Sequence, residues 1–377
     1  VRRFLLVVLA TAVPAVAVAQ SSQFGVRGLG QPSRGISARS LGSAGAFGLF
    51  DQESATNPAA LEAMTGVTAV FTGSQSIRNV DNPAGSASLK DALFPLVVFA
   101  GPVSRSRFVL GVSYSSYTSR DFTLATADSL EIRGVLVPVF DTLSSRGGVS
   151  DFRVAASYRA KPGWALGGGF HILTGSNRVE FHRFYKDPDY LPVSQKAELS
   201  FAGYGISLGT VKQLGNRMSV AALVRSDGHA GVDLDSTRVN EVDLPFTFGL
   251  GLRYRLSAQL EVATQGIYRT WSGANSDLQA IGAPGAKNTM DLSLGAELVN
   301  PRKPYKLPLR FGARYATNPY PLATGAQPSE VGVSLGSGTR FAQQRGGLDL
   351  ALEYLWRSAG GLDERALQIT LGVTVRP

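Results

Sequence analysis

From Val67 onward, apolar and polar residues alternate along the chain with a period of two. In one stretch Leu244, Phe246, Phe248, Leu250, Leu252, Tyr254 and Leu256 interleave with Pro245, Thr247, Gly249, Gly251, Arg253 and Arg255. Successive side chains of a strand point to opposite faces, so the pattern predicts one apolar face and one polar face. Phe152, Val154, Ala156 and Tyr158 set against Asp151, Arg153, Ser157 and Arg159 repeat it. So do Leu367, Ile369, Leu371, Val373 and Val375 set against Gln368, Thr370, Gly372, Thr374 and Arg376. Segments of this kind predict fourteen strands, near 67–77, 93–102, 107–117, 150–159, 163–173, 198–212, 217–225, 244–256, 258–270, 289–299, 307–316, 329–340, 346–357 and 365–376.

The intervening connections alternate between short and long. Tight turns are expected at Ala160-Lys161-Pro162-Gly163, Gly215-Asn216 and Ser257-Ala258, and long loops over 118–149, 174–197, 226–243 and 271–288 on the opposite side. A soluble sandwich would carry Lys and Glu on its outward faces. Here the charges gather on one face and the other is almost free of them. Backbone groups in lipid must pair internally, so membrane-crossing strands close into a barrel. The pattern therefore predicts an all-β fold: a 14-stranded antiparallel transmembrane barrel of the outer-membrane type, with short turns and both termini on the periplasmic side. Trp164, Trp271 and Trp356, with Tyr114, Tyr158, Tyr268, Tyr315 and Tyr354, fall near strand ends and are expected in interfacial girdles. The last strand ends Val375-Arg376-Pro377, a departure from the aromatic residue on which such strands commonly close.

Composition narrows the class further. Val1-Arg2-Arg3, an apolar run from Phe4 to Ala10 and the pair Ala17-x-Ala19 read as a secretory signal peptide over 1–19, cleaved before Gln20. The formal charge of +9 becomes +7 without Arg2 and Arg3. The remaining arginines are scattered singly, which argues against nucleic acid as a partner. With no cysteine, the chain offers no disulfide, thiol nucleophile or Cys-based zinc site.

Residues 20–66 do not alternate. A Gly-rich stretch leads to Asn57, a good N-cap, with Pro58 at the first helical position and Ala59-Ala60-Leu61-Glu62-Ala63-Met64 after it. Ahead of a barrel over 67–377, this segment reads as a hatch folded into the lumen, carried by Gly42, Gly45, Asn57, Pro58 and Ala59.

At this point the sequence resembles the FadL/TodX family of outer-membrane transporters of long-chain fatty acids and hydrophobic compounds. Ala38-Arg39-Ser40-Leu41-Gly42-Ser43-Ala44-Gly45-Ala46 followed by Asn57-Pro58-Ala59-Ala60-Leu61 is similar to the family's hatch. Leu244-Pro245-Phe246-Thr247-Phe248-Gly249-Leu250-Gly251 leading to Tyr268-Arg269-Thr270-Trp271-Ser272 looks like its paired strands before a Trp, and Leu309-Arg310-Phe311-Gly312-Ala313-Arg314-Tyr315 with Asn318-Pro319 resembles a later strand and loop. The resemblance implies passive uptake: a hydrophobic molecule collects at the outer loops, enters a hatch-gated lumen and leaves sideways where a strand distortion opens the wall. Gly111 in the third strand is a place where such a distortion could form.

Phe122, Leu130 and Ile132 in the first long loop, and Phe181, Phe184 and Tyr190 in the second, are candidate substrate-binding residues, since an exposed apolar surface marks a binding site. Loops sealing the barrel mouth would explain the same residues. The expected partners are a hydrophobic small molecule and the lipid and lipopolysaccharide of the outer membrane, with the chain a monomer. Neither a cofactor nor a metal is expected. An assembly or secretion partner built on the same barrel, and an outer-membrane hydrolase, are the competing readings. Gly205-Ile206-Ser207-Leu208-Gly209 and Gly332-Val333-Ser334-Leu335-Gly336 match the hydrolase nucleophile pattern, but both lie inside alternating strands, whereas that motif needs a sharp strand-to-helix turn. Both serines are expected to be ordinary lumen-facing residues, and the chain a channel, not an enzyme. Arg253, Arg255, Arg310, Arg314, Glu261, Glu297, Asp349 and Glu353 are expected to face the lumen and to pair there.

Overall fold

A computed structural model describes residues 22–82, 85–275, 285–302, 307–322 and 325–377; the segment 1–19 assigned to a signal peptide lies outside them. The alternating segments fold as β1 (Thr68–Asn82), β2 (Gly85–Pro102), β3 (Phe108–Ser119), β4 (Val135–Lys161), β5 (Trp164–Tyr185), β6 (Val193–Leu214) and β7 (Met218–Ser226). They continue as β8 (Phe246–Arg255), β9 (Leu260–Arg269), β10 (Thr289–Leu298), β11 (Leu309–Thr317), β12 (Ser329–Phe341), β13 (Gly346–Ala359) and β14 (Leu362–Val375). Each strand pairs antiparallel with the next. β14 pairs with β1 from Asp363 opposite Asp81 to Val375 opposite Ala69, which closes the ring of fourteen.

The pleat explains why the ring suits lipid. Leu208, Leu294 and Leu335 are exposed on its outside, while their neighbours Ser207, Ser293 and Ser334 are buried inside. Strands closed on themselves pair their backbone groups within the sheet, and the apolar belt then meets hydrocarbon. The short turns form as expected, with Gly163 and Gly215 at φ of 72° and 66°.

The long connections differ from the expectation. Much of 118–149 and 174–197 is strand rather than loop, because β4 and β5 stay paired up to Val139 opposite Tyr185. Phe122–Ile132 adds a further strand along β4. It turns back at Arg133-Gly134, whose φ values of 53° and 80° are those of a two-residue hairpin turn. His229–Leu234 and Thr237–Asp243 form a second outer hairpin, docked along the upper part of β6. Val137 and Val139 of the first ribbon and Ala230 and Val232 of the second are buried, but the burial does not run the length of each strand, so no continuous alternation marks them.

Inside the ring runs the N-terminal segment. A one-turn helix, Ala38–Leu41, packs on β12, β13 and β14, while a 3₁₀ helix, Pro58–Ala63, packs on β4, β5 and β6 across the barrel. Leu61 and Met64 join Val70, Leu96, Val98, Val109 and Ala155 of the wall in one apolar cluster, and Leu49 and Phe50 join Ala221 and Leu223 in another.

The girdle expectation holds for Trp356, which is exposed beside Tyr354. It is corrected for Trp271, only 1% exposed. There the chain leaves β9 and turns inward as a 3₁₀ helix, Trp271–Ala274, and the indole packs against Tyr117 and Tyr320 inside the mouth.

Candidate functional site

The lumen is filled by the N-terminal segment, held through side chains that the sequence left without obvious partners. The Asn57 side chain accepts from Ala59 N at 3.0 Å and donates to Leu49 O at 2.9 Å and to Thr210 O of β6 at 3.4 Å. The hydroxyls of Ser37, Ser40 and Ser54 all donate to Asp51 Oδ2, at 2.5, 2.7 and 2.7 Å. Ion pairs then tie the segment to the wall. Arg34 meets Glu353 at 2.7 Å and Arg39 meets Glu297 at 3.4 Å. Glu53 receives Arg376 at 3.2 Å and Arg340 at 3.5 Å. Arg376, just past β14, thus ties the lumenal segment to the wall. Burial, then Asp51, raises the Glu53 carboxyl above the usual carboxylate range; Asp349 pushes the same way, while Arg340 and Arg39 oppose.

Wall glycines let the plug come close. A Cβ at Gly209 would stand 1.9 Å from Asn57 Oδ1, and one at Gly336 would stand 2.5 Å from Gly42 Cα. These glycines look like ordinary strand residues in the sequence, and the partner that requires them lies far away along the chain.

The second feature is a break in the wall. β2 and β3 pair only from Pro102 opposite Val109 to Leu96 opposite Ser115. Beyond that point β2 keeps only β1 as a partner, from Leu93 opposite Ser74 to Gly85 opposite Asn82, and Pro95 has no N–H to offer a ladder. β3 carries an extra residue at Tyr117, where its register with β4 shifts between Ser116 and Thr118. Its freed edge is taken by the plug: Gln31 and Pro32 pair with Ser119 and Thr118, and Ser33 N donates to Tyr117 O at 2.9 Å. A cavity of about 120 Å³ lies at this junction, with Gln31 to Ile36 on one side and Arg78, Asp91, Leu93 and Pro95 on the other. Gly111, where a distortion could have formed, is regularly paired with Ala100 and Ala155. The bulges fall at Tyr117 in β3 and at Phe94-Pro95 in β2, which together stand opposite the single residue Gly73 of β1.

No family model matches the sequence, and no curated protein matches it either. Solved structures do. A Pseudomonas aeruginosa FadL homologue aligns with a TM-score of 0.63 at 13% identity, over 92% of this chain and 99% of that one. The P. putida toluene transporter TodX gives 0.57 at 14%, over 92% and 99%, and the Ralstonia pickettii toluene transporter TbuX 0.56 at 14%, over 91% and 98%. The chain has the fold of the FadL-type outer-membrane barrels.

In this FadL-type barrel Gly42, Gly45, Asn57, Pro58 and Ala59 all lie buried in the lumenal segment. The six loop residues are not gathered at one place. Phe122 is buried at the foot of the outer hairpin under Arg120, Leu130 and Ile132 sit near its tip, and Phe181 and Phe184 stand opposite Leu143 and Phe140 on the β4–β5 ribbon. Tyr190 stacks on Tyr185 with ring centroids 5.4 Å apart. An outer cavity of about 220 Å³ is lined instead by Phe24, Val26, Leu124, Tyr320, Leu322 and Leu362 among others, which no single sequence segment could reveal.

Most of the expected lumenal charges pair. Arg310 reaches Glu297 and Asp349 at 2.8 Å each, Arg314 reaches Asp291 at 2.9 Å, and Arg253 lies 3.7 Å from Glu261. Arg255 is exposed at the rim.

Ser207, expected as an ordinary inward residue, ends a hydrogen-bonded chain. His171 Nδ1 donates to Asp151 at 2.9 Å, which leaves Nε2 of the neutral ring to accept from Ser207 Oγ at 2.8 Å. Asp151 also accepts from Arg225 at 2.7 Å; Arg225 reaches Asp227 at 2.6 Å, and Tyr117 OH donates to Asp227 at 3.0 Å. This chain thus runs from β6 to the bulge in β3. Ser207 is 2% exposed and lies in mid-strand, so the arrangement braces the wall instead of presenting a nucleophile.

Proposed function

We propose that the protein is a passive outer-membrane channel for hydrophobic molecules, of the class of long-chain fatty acids or aromatic hydrocarbons. The observation that carries this reading is the break between β2 and β3 above Leu96 and Ser115, with a cavity beside it. A molecule that prefers lipid gains nothing from a water-filled path to the far side, and a gap in the wall offers it a direct exit. Residues 20–66 act as the hatch: they close the straight path, and their Gln31–Ser33 strand edges the gap. Leu130, Ile132, Phe181, Phe184 and Tyr190 at the outer ribbons supply apolar surface where substrate first collects, with Phe122 packed beneath. Membrane lipid surrounds the belt, lipopolysaccharide meets its outer rim, and the barrel works as a monomer.

The names of two structural neighbours, toluene transporters, support a hydrophobic cargo. Proteoliposomes tested for uptake of a fluorescent long-chain fatty acid should accumulate it faster than empty liposomes of the same lipid. Equal rates would overturn the proposal.

A further inference from the structure

We propose that Arg146 and Arg178, on the outward face of the β4–β5 ribbon, bind a phosphate carried on the core sugars of outer-leaflet lipopolysaccharide. The inference rests on the membrane placement in the preceding reading and gives its lipopolysaccharide a point of contact; it does not depend on transport. The outward positions of this wall form rows. Tyr114, Phe152, Ile172 and Tyr204 stand opposite one another on β3, β4, β5 and β6, and the last three are 45%, 41% and 66% exposed. Above that row the apolar face ends: the outward positions become Ser150, Gly148 and Arg146 on β4, and Thr174, Ser176 and Arg178 on β5. The pairing runs on without a break, which sets Arg146 directly opposite Arg178. Like charges placed directly opposite in an antiparallel pair destabilise it, so this pair calls for an anion.

The protein's own carboxylates do not supply it. Glu198 approaches Arg178 only to 3.8 Å, too long for a hydrogen bond, and Glu180 is taken by Lys196 at 3.1 Å. Asp121 accepts from Gly147 N at 2.6 Å and from Ser119 Oγ at 3.2 Å. The Arg146 guanidinium forms no ion pair or hydrogen bond among the described residues. With Ser144 and Ser176, the two arginines line an open cavity of about 340 Å³, and a phosphate there accepts from both forks at once. Height selects the source of that phosphate. Arg146 lies six residues beyond Phe152, about 20 Å along the strand and about 15 Å above the tyrosine row at a tilt of about 40°. The polar layer of a phospholipid leaflet is only about 5–8 Å deep, so its phosphates stay below the pair. A glycolipid with phosphorylated core sugars reaches it.

The test uses the full chain refolded in detergent, free of lipopolysaccharide, with native mass spectrometry to follow bound glycolipid. Three probes are compared: rough lipopolysaccharide with phosphorylated core sugars, the same material stripped of phosphate by hydrofluoric acid, and lipid A. The phosphorylated form should bind roughly tenfold tighter than the stripped one, the scale of one charge-assisted hydrogen bond. Arg146→Gln should remove that difference. Arg365→Gln, the same loss of charge at an exposed position of β14, should keep it. Lipid A should bind wild type and Arg146→Gln alike, because its phosphates lie at the hydrocarbon edge. Without glycolipid, Arg146→Gln should melt no lower than wild type, since it relieves a like-charge pair. Equal binding of the phosphorylated and stripped forms, a preference lost equally in Arg365→Gln, lipid A binding that depends on Arg146, or a less stable Arg146→Gln barrel would each overturn the inference. Fatty acid uptake into liposomes without lipopolysaccharide separates the two readings. Uptake with no phosphate preference removes this site alone, whereas the expected binding pattern without uptake removes the transport reading alone.

Discussion

Pro32 of the lumenal segment stands opposite Thr118 of β3, on the strand edge that β2 leaves free above Leu96. The plug and the gap are therefore not independent. The same N-terminal segment that fills the lumen supplies, at Gln31–Pro32, backbone partners to the rim of the gap, so loosening the segment alters the gap.

Asn57 is the side chain whose loss should loosen it most selectively. Asn57→Ala removes the cap on Ala59 N and strands Leu49 O, at a cost of about 1–2 kcal/mol to docking of the segment. Hydrogen exchange should quicken across residues 22–64 while the barrel strands keep their protection. Unchanged exchange in the segment would show that the cap does not hold it.

Close approach gives a sharper contrast. Gly209→Ala puts a Cβ 1.9 Å from Asn57 Oδ1, whereas one at Gly168 meets nothing nearer than Leu208 Cδ2 at 3.7 Å. Limited proteolysis should therefore cut the N-terminal segment of Gly209→Ala and spare that of Gly168→Ala. Equal resistance would mean that the segment does not rest against β6.

How far the sequence reveals this arrangement depends on what repeats along the chain. The fourteen crossing strands are legible because lipid on one side and the lumen on the other impose a period of two on each of them. The outer ribbons feel that contrast over only part of their length, so Phe122–Ile132 and the upper parts of β4 and β5 read as loops. Asn57-Pro58 announces its own cap, yet Gly209 and Gly336 give no sign of the lumenal segment they accommodate. The chain Ser207–His171–Asp151 depends on registers across three strands, which local spacing does not encode. The bulge at Tyr117 has no local signature, since neither glycine nor proline marks it.

Protonation of Glu53 should tune docking. Its carboxyl is raised above the ordinary value of 4.5 when docked, so the docked state holds the proton more tightly than the released one. Stability from this linkage is complete below the ordinary value and is lost as pH rises through the raised one. Exchange of residues 22–64, corrected for the intrinsic effect of pH, should be slower at mildly acidic than at alkaline pH, and Glu53→Gln should flatten the difference. A wild-type segment better protected at alkaline pH would contradict this sign.

The Ser207, His171 and Asp151 chain should behave as a brace. A fluorophosphonate probe should fail to label Ser207, and His171→Ala should lower barrel stability by about 1–3 kcal/mol, because it leaves Asp151 and Ser207 short of a buried partner. Labelling that disappears in Ser207→Ala would instead establish a nucleophile.

Exit of cargo between β2 and β3, as proposed, makes deletion of Tyr117 the decisive variant. Removing the extra residue restores the register of β3 against β4 and lets β3 continue alongside β2 beyond Ser115. Initial rates of fluorescent fatty acid uptake into proteoliposomes should fall to those of empty liposomes in a variant whose barrel still resists detergent unfolding. Uptake at the wild-type rate in that folded variant would contradict exit through this wall.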